Sequence, residues 1–179
     1  MTRNKEVASD MRRLHFIELQ TRCESQMQIE VCNGCDACGL RCAAGVPATL
    51  DEWTAVREYI ANAAPGVREE ISRVEAQDKT VDLGDEVSVQ MCRYRDVDGG
   101  RCVVYPVRPL VCRLLGYVEW MPCPIDKVPA IIRTQDALQL MSAYAALERN
   151  TFEEWEQRSS GDATPSNYSE LQSAANSSM

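Results

Sequence analysis

The sequence has little of several features that would place it in a common class of protein. No apolar run approaches the roughly 18 residues of a membrane-spanning helix, and the first six residues contain no apolar signal core. We therefore expect a cytoplasmic protein with no membrane partner. Its 179 residues include only two Phe, six Tyr and three Trp. This length and aromatic content allow a modest core and exclude an eight-stranded α/β barrel.

Basic charge is also scarce. The chain has 19 lysine and arginine residues against 27 aspartate and glutamate residues, which gives a net charge of −8. Because proteins bind nucleic-acid phosphates through clustered basic residues, this balance argues against a nucleic-acid partner. The only histidine, His15, lies in a helical pattern away from the cysteines described next. We interpret it as a partly exposed helix residue.

Cysteine, in contrast, is abundant. Four of the nine cysteines lie within eleven residues, separated by two, two and three residues, and a later four are separated by nine, nine and ten. In a reducing cytosol such thiols indicate metal binding or redox chemistry and not disulfides. Cys23 continues a helical apolar stripe and stands outside this scheme. The candidate metal ligands are Cys32, Cys35, Cys38 and Cys42 in the first set and Cys92, Cys102, Cys112 and Cys123 in the second.

Four thiolates suit either a tetrahedral zinc ion or a four-cysteine iron–sulfur cluster, which we expect to be of the 4Fe–4S type. The spacing leaves open the choice between Zn²⁺ and iron, and between one site and two. The first set has the spacing of a bacterial ferredoxin run, but Ala43 replaces the proline that ends such a run. A radical-SAM run has its three-residue gap first, whereas this chain has it last. A redox pair at Cys32 and Cys35 would need a thioredoxin-like βαβ context, which is missing.

Arginines accompany the thiols in both sets. Four arginines are each adjacent to a cysteine of these two sets, and a fifth lies four positions before one. We expect some of these guanidinium groups to offset thiolate charge or to donate hydrogen bonds to the sulfurs. The preferred candidates for this cofactor-binding role are Arg108 and Arg113. The alternative for each arginine is a solvated surface charge.

The pattern of apolar residues predicts a mainly α protein with a small β-hairpin. We expect an irregular, helix-rich single domain over residues 1–158, organised around one or more cysteine metal sites, and a disordered polar tail over 159–179. Helices are predicted over residues 4–25, from a Thr49–Glu52 capping box onward, after Pro65, from Pro109 to Gly116, and over 134–158.

Strands are predicted where apolar and polar residues alternate. A short strand over 27–31 is expected to lead into the first set of thiols. Residues 87–92 and 102–105 are expected to form a hairpin around Asp98-Gly99-Gly100, which would bring two cysteines of the second set together. Cys112 falls in an early turn of a short helix, where the positive end of the helix dipole favours the thiolate.

The cysteines and the segment between them form a longer motif. Three cysteines of the first set are followed by Gly100-Arg101-Cys102-Val103-Val104-Tyr105-Pro106-Val107-Arg108-Pro109-Leu110-Val111-Cys112-Arg113, and then by Gly116 and Cys123-Pro124. This arrangement resembles the YkgJ-type cysteine-cluster family, also described as the CxxCxxCC zinc- or iron-chelating domain. The resemblance covers residues 32–124. One difference is that Gly39, and not a second cysteine, follows Cys38, so that Cys42 supplies the fourth thiol.

The resemblance implies a protein that binds metal through eight cysteines, with an undefined cellular role. One hypothesis is a cytosolic metal-binding protein whose centre is structural, sensing or donated to another protein. A second is an iron–sulfur-dependent enzyme of redox or methyl-transfer chemistry, because a relative of the family, flagellin lysine methylase, is considered an iron–sulfur enzyme. A third is a zinc-stabilised interaction module whose acidic helices face a protein partner. A closed four-thiolate site favours the first hypothesis, and three thiolates with an open position favour the second.

Overall fold

The fold is mainly α, as the sequence predicts, with small antiparallel strand pairs. A computed structural model describes residues 2–32, 35 and 37–160, leaving out the side chains of residues 2–6 and 40. The expected tail falls almost entirely outside these residues. Within them, no helix is long and apolar enough to cross a membrane.

The described residues form α-helices of very different lengths. They are α1 (Thr2–Glu24), α2 (Ile29–Cys32), α3 (Leu50–Asn62), α4 (Pro65–Glu75), α5 (Leu110–Arg113), α6 (Thr134–Ala145) and α7 (Phe152–Ser159). Two short 3-10 turns cover Gly39–Arg41 and Tyr105–Val107. The strands are β1 (Ala48–Thr49), β2 (Thr80–Gly84), β3 (Val87–Gln90), β4 (Tyr117–Val118), β5 (Met121–Pro122) and β6 (Arg149–Asn150). The antiparallel pairs are β1 with β6, β2 with β3, and β4 with β5.

Helix α1 confirms the helix predicted over residues 4–25, although only part of its apolar stripe is buried. Phe16, Leu19 and Cys23 are buried, and the Phe16 ring centroid lies 5.5 Å from that of Tyr144 in α6. The N-terminal part of the stripe is exposed, with 65% of Met11 accessible to solvent. The C-terminal half of α1 therefore anchors this helix to the rest of the protein.

Glu52 connects three helices. It completes the predicted capping box of α3, because the Glu52 amide donates to Thr49 Oγ1 over 3.3 Å and the Thr49 amide donates to Glu52 Oε2 over 2.9 Å. The same carboxylate accepts hydrogen bonds from the Leu110 amide and from the Tyr144 hydroxyl, each over 2.7 Å. Glu52 thus holds the first residue of α5, the helix that carries Cys112, against α3 and α6.

The strand predicted over residues 27–31 is wrong. Residues Ile29–Cys32 form the single helical turn α2, and the Tyr105 hydroxyl donates to the Ile29 carbonyl oxygen over 3.2 Å. A strand needs a neighbouring strand to pair its backbone groups. This segment instead pairs its backbone locally, as in the 3.0 Å bond from the Val31 amide to the Gln28 carbonyl oxygen.

The predicted hairpin is correct in its first strand and wrong in its partner. β3 begins at Val87 as expected, but it pairs with β2 and not with residues 102–105. The expected turn does form, since the Gly100 amide donates to the Asp96 carbonyl oxygen over 2.9 Å, and Gly100 adopts a positive φ of 75°. Residues Tyr105–Val107 then form a 3-10 turn. Pro106, which has no amide hydrogen, could not continue a paired strand there.

The single helix predicted over residues 134–158 is also wrong, because two helices with a strand between them occupy this region. α6 ends at Ala145, β6 pairs with β1, and α7 begins after Thr151. Thr151 and Glu154 form a second capping box, a start signal that the apolar periodicity concealed. The Trp155 indole nitrogen donates to the Ala48 carbonyl oxygen over 2.9 Å and fixes α7 against β1.

Two hydrophobic cores lie on either side of the cysteine-rich segments. The first core is built mainly from α1, α5 and α6 and contains Phe16, Leu19, Cys23, Leu110, Leu114, Tyr117, Val118, Cys123, Val128, Ile132, Ala137, Leu140 and Tyr144. The second core is built mainly from α3, α4 and α7 and contains Ala48, Trp53, Val56, Ile71, Tyr94, Val104, Phe152 and Trp155. The first core includes Cys123 and packs against Cys32, and the second core packs against Cys92 and Cys102.

Replacing Glu52 by alanine should destabilise the protein strongly. The substitution removes the Glu52 half of the α3 capping box and leaves the Leu110 amide without its partner, so we expect a loss of about 2–4 kcal/mol in the free energy of unfolding. Denaturant unfolding measures this loss. Glu58→Ala, at an exposed position of the same helix, is the control and should cost less than about 0.5 kcal/mol. Equal losses in the two variants would contradict the role assigned to Glu52.

Candidate metal centre

A short antiparallel contact places Cys42 beside Cys92. The Cys92 amide donates to the Cys42 carbonyl oxygen over 2.8 Å, and the Ala44 amide donates to the Gln90 carbonyl oxygen over the same distance. Ala43 and Met91 form a bridge between these two bonds. Residues 42–44 thereby extend the edge that β3 presents, and the two thiols become neighbours although fifty positions separate them in the sequence.

The turn over residues 95–102 brings Cys102 to the same place. Arg95 pairs with Cys102 in an antiparallel bridge, and the Val103 amide donates to the Tyr94 carbonyl oxygen over 3.0 Å. The expectation that the Gly99-Gly100 turn brings two cysteines of the second set together is therefore confirmed. This contact is an irregular turn and not a regular hairpin.

Helix α5 supplies the fourth thiol of this group. The predicted helix after Pro109 exists but is shorter than expected, because it ends at Arg113 and Gly116 lies beyond it with a φ of 93°. Cys112 lies within this helix, and the charges of Cys92 and Cys102 raise the pKa of Cys112. These residues, together with Cys42, form what we call the Cys42 group: Cys42, Cys92, Cys102 and Cys112.

The thiols of the Cys42 group influence one another's ionisation. A hydrogen bond between Cys42 and Cys92 raises the pKa of Cys42 and lowers the pKa of Cys92 to about 7, so Cys92 is the first thiol of this pair to ionise. Burial raises the pKa of Cys102 to about 11 and that of Cys112 to about 12. For Cys112, burial therefore outweighs the lowering expected from the helix dipole.

The other four candidate metal ligands lie together beside the first core. Cys32 ends α2, and its sulfur lies 3.6 Å from the hydroxyl oxygen of Tyr117 in β4. Cys123 follows β5, whose pairing with β4 brings it back towards Tyr117. The charges of Cys123, Cys35 and Cys32 raise the pKa of Cys38. We call these residues the Cys32 group: Cys32, Cys35, Cys38 and Cys123.

Burial and neighbouring charges also act on the Cys32 group. Burial raises the pKa of Cys38, and the neighbouring thiols add to this effect. For Cys123, burial alone would raise the pKa, but backbone amides hold it below its ordinary value. One of these amides, that of Lys127, donates to the Cys123 sulfur over 3.2 Å. The loop after β5 thus supplies hydrogen bonds that stabilise a thiolate.

Two adjoining cavities are lined by the thiols of these groups. A cavity of about 30 Å³ is lined by all four thiols of the Cys32 group. A larger cavity of about 80 Å³ is lined by all four thiols of the Cys42 group and also by Cys35 and Cys38. Five residues line both cavities and form the wall between them: Cys35, Cys38, Tyr105, Arg108 and Leu115. The eight cysteines therefore occupy one continuous region of the protein.

This grouping differs from the two sets that the sequence suggested. The first set in the sequence ends with Cys42 and the second ends with Cys123, but in the structure these two residues are exchanged. Cys23, the ninth cysteine, is buried in the first core, as its helical pattern indicated, and His15 is exposed on α1. Neither residue belongs to a thiol group.

The donor set fits a thiolate-binding metal, although the thiols are not closed around an ion. Among the described residues, no three His, Cys, Asp or Glu side chains stand in the geometry of an ion site. All nine cysteines are free. A cysteine sulfur moves between staggered positions by rotation about a single side-chain bond, so the sulfurs can move while the backbone stays in place. Zinc and iron–sulfur clusters both accept four such thiolates.

Arg108 lies in the position expected of a charge-balancing residue. Its guanidinium carbon stacks 3.6 Å from the centroid of the Tyr105 ring, in the wall between the cavities. Its charge lowers the pKa of Cys102 and of Cys112 against the larger effect of burial. The Arg108 Nε atom is buried and has no hydrogen-bond partner among the described residues. A buried donor without a partner is costly, and a ligated sulfur nearby would satisfy it.

Arg113 makes different contacts from those we expected. Its terminal nitrogens lie 2.8 Å from Glu24 Oε1 and 3.9 Å from Glu52 Oε1, so this guanidinium group pairs with carboxylates. Three other arginines adjacent to cysteines also have oxygen partners. Arg93 pairs with Glu75 and Glu156, Arg101 pairs with Glu70, and Arg41 donates to the Pro122 carbonyl oxygen.

The sequence analysis missed several residues near the thiols. Tyr117 contacts Cys32, and no local pattern marks it because 85 positions separate the two residues. Arg95 lowers the pKa of Cys102 against a larger effect of burial, and its guanidinium group lies over Gly39. A Cβ atom at Gly39 would stand only 1.9 Å from Arg95 Nη2, so this position must be glycine for Arg95 to lie there. The proximity of Arg95 to Cys92 in the sequence could have identified Arg95 as a candidate residue near the thiols.

Replacing Arg108 by glutamine should weaken metal retention. Loss of the guanidinium charge from the wall between the thiol groups should lower metal affinity by about 10-fold to 100-fold, as for other outer-sphere partners of metal ligands. Competition with a chelator, followed by elemental analysis, measures the change. Arg68→Gln removes the same charge from an exposed position and should leave affinity unchanged. Unchanged affinity in the Arg108 variant would refute its role.

Comparisons with known proteins do not identify a family for this chain. No family model, no curated protein and no solved structure matches it. The resemblance to the YkgJ-type cysteine-cluster family therefore rests on the motif residues alone and remains a prediction.

Proposed function

We propose that this protein is a cytoplasmic metal-binding protein that holds zinc or iron–sulfur through its eight clustered cysteines. The observation that carries the proposal is the convergence of eight unpaired thiols from four separate stretches of the chain. Buried cysteine is common as an ordinary core residue. Eight thiols gathered around adjoining cavities are unusual as core packing and are well suited to metal binding.

The surroundings of the thiols favour a closed centre. Four thiols are available on each side of the wall at Arg108, and a cation compensates part of the negative charge that four thiolates would carry. The metal, when bound, supplies cross-links between segments that are distant in the sequence. The residues of this chain supply the thiolates, the backbone amides around Cys123 and the guanidinium group of Arg108. This donor set supports a structural, sensing or metal-donating role.

The family resemblance is part of the proposal. The glycine-to-arginine segment over residues 100–113 carries Cys102, Arg108 and Cys112, which all lie at the thiol groups. We therefore propose membership of the YkgJ-type cysteine-cluster family. Gly39, which stands where that family has a cysteine, lies beneath Arg95, and Cys42 joins the thiols instead.

An iron–sulfur-dependent enzyme is a second candidate. An open groove of about 490 Å³ runs beside the thiols and is bordered by Cys35 and Cys102, one from each group. Its other side is formed by Glu70 and Ile71 of α4. A substrate in this groove would lie next to the metal-binding region. A zinc-stabilised interaction module with acidic helices is the remaining alternative, and it requires zinc and no open ligand position.

Anaerobic purification with elemental analysis tests the proposal and distinguishes these alternatives. We expect the purified chain to contain stoichiometric iron and sulfide, with a brown charge-transfer absorption, or stoichiometric zinc without colour. Removal of the metal under reducing conditions should expose the thiols to alkylation and lower the melting temperature, because metal binding is coupled to folding. A folded, fully reduced protein that binds neither metal under oxygen-free conditions would refute the proposal.

A further inference from the structure

We propose that the protein holds two separate metal centres, and that each combines thiols from the early and the late part of the chain. One centre uses the Cys32 group and the other uses the Cys42 group. This inference rests on the proposed function, since it requires that the thiols bind metal. It goes further by assigning each of the eight cysteines to a centre. Cys42, from the first set in the sequence, joins the centre built from the second set, and Cys123, from the second set, joins the centre built from the first.

The backbone contacts at Cys42 determine its partners. The bridge between Ala43 and Met91 fixes the main chain of Cys42 against that of Cys92 through a 2.8 Å hydrogen bond. Side-chain rotation cannot undo this placement. The Arg95 bridge then adds Cys102 to the same edge. Cys42 consequently lies beside cysteines of the second set. The charges of Cys92, Cys102 and Cys112 raise the pKa of Cys42.

Equally firm contacts hold Cys123 beside the first set. Arg41, at the end of the turn that begins directly after Cys38, donates to the carbonyl oxygen of Pro122, the residue before Cys123. The Cβ atom of Cys123 lies 3.6 Å from where a Cβ atom of Gly116 would stand, so the chain on both sides of β4 and β5 is close-packed. Cys38 and Cys123 line the same cavity, together with Cys32 and Cys35.

Some thiols of the two groups also pack against different cores. Cys123 is part of the first core and Cys32 packs against it, whereas Cys92 and Cys102 pack against the second core. Protein interiors are close-packed and resist deformation. A single centre drawing on all eight thiols would have to pull ligands out of both cores. Two centres, one at the border of each core, require only local rotation of side chains.

The wall between the cavities separates the two centres. Tyr105 and Arg108 line both cavities. The charge of Arg108 lowers the pKa of Cys102 and of Cys112. The charges of Cys32 and Cys38 raise the pKa of Tyr105. Cys35 and Cys38 border the larger cavity as well. Cys38, however, also lines the smaller cavity with Cys32 and Cys123, and the turn that follows it contacts Pro122 through Arg41, so we place Cys38 in the Cys32 group.

Pairs of substitutions distinguish this arrangement from the order of the sequence. In Cys38→Ser/Cys123→Ser both changes fall in one proposed centre, so this variant should retain half of the wild-type metal. In Cys38→Ser/Cys42→Ser the changes fall in both centres, so this variant should lose nearly all tightly bound metal. Centres formed by the two sequence sets would give the reverse result. Cys23→Ala, outside both groups, is the control and should retain all of the metal.

The measurement is a titration of the reduced, metal-free full-length chain with Co²⁺, followed by competition with a chelator. Thiolate-to-cobalt absorption reports the number of four-thiolate sites, about two per wild-type chain. Equal retention in the two double variants, or the reversed result, would overturn the assignment. No binding by the wild type would overturn the proposed function itself, so the two failures are distinguishable.

A second measurement uses the wild-type protein and does not depend on the folding of variants. Metal is removed gradually with a chelator under reducing conditions, exposed thiols are alkylated, and the modified cysteines are identified by mass spectrometry. Cys42 should become reactive together with Cys92, Cys102 and Cys112, and Cys123 together with Cys38. Alkylation of Cys42 in step with Cys38, or of all eight thiols in a single step, would overturn the two-centre assignment.

Discussion

The antiparallel contact between residues 42–44 and 90–92 is the constraint on which the arrangement of the thiols depends. It crosses from the end of the first cysteine run to the edge of β3 and fixes Cys42 against Cys92 by main-chain hydrogen bonds. Because this contact involves the backbone, it holds in any rotamer of the two cysteines. The other three thiols of the first run do not take part in this contact. They share a cavity with Cys123, which directly follows the paired strands β4 and β5.

The fold supports this arrangement from two sides. The first core packs α1 against α6 and includes Cys123, and the second core packs α3, α4 and α7 beside Cys92 and Cys102. Glu52 links the two through its bonds to Leu110 and Tyr144. Each half of the protein is modest in size, and a small core supplies limited stability. Metal bound by the thiols would add cross-links between segments that are distant in the sequence.

Local signals in the sequence predicted the parts of the fold that local interactions determine. The capping box at Thr49 and the helical spacing of Phe16, Leu19 and Cys23 in α1 were recognisable, because the residues that form each pattern are three or four positions apart. The second capping box, at Thr151 and Glu154, carried the same signal but was hidden inside an apolar repeat that looked continuous. The strand predicted at 27–31 failed because strand formation depends on a distant partner.

The identity of the candidate ligands could be predicted, but their grouping could not. Density of cysteine along the chain marked all eight, and the Arg-Pro segment marked Arg108. The placement of Cys42 follows from a backbone pairing with residues about fifty positions away, and that of Cys123 beside the first run follows from the contact between Arg41 and Pro122, which are 81 positions apart. No spacing rule encodes either contact. The same reason explains why Tyr117 was missed and why Arg113, adjacent to a ligand, pairs with Glu24 and Glu52 instead.

Anomalous diffraction from crystals of the anaerobically purified protein tests the central claim most directly. Data collected at the zinc and iron absorption edges would locate the metal relative to each sulfur. The account predicts two separate anomalous peaks, one among Cys32, Cys35, Cys38 and Cys123 and the other among Cys42, Cys92, Cys102 and Cys112. A single peak shared by all the thiols, or a peak that joins Cys42 to Cys38, would contradict it.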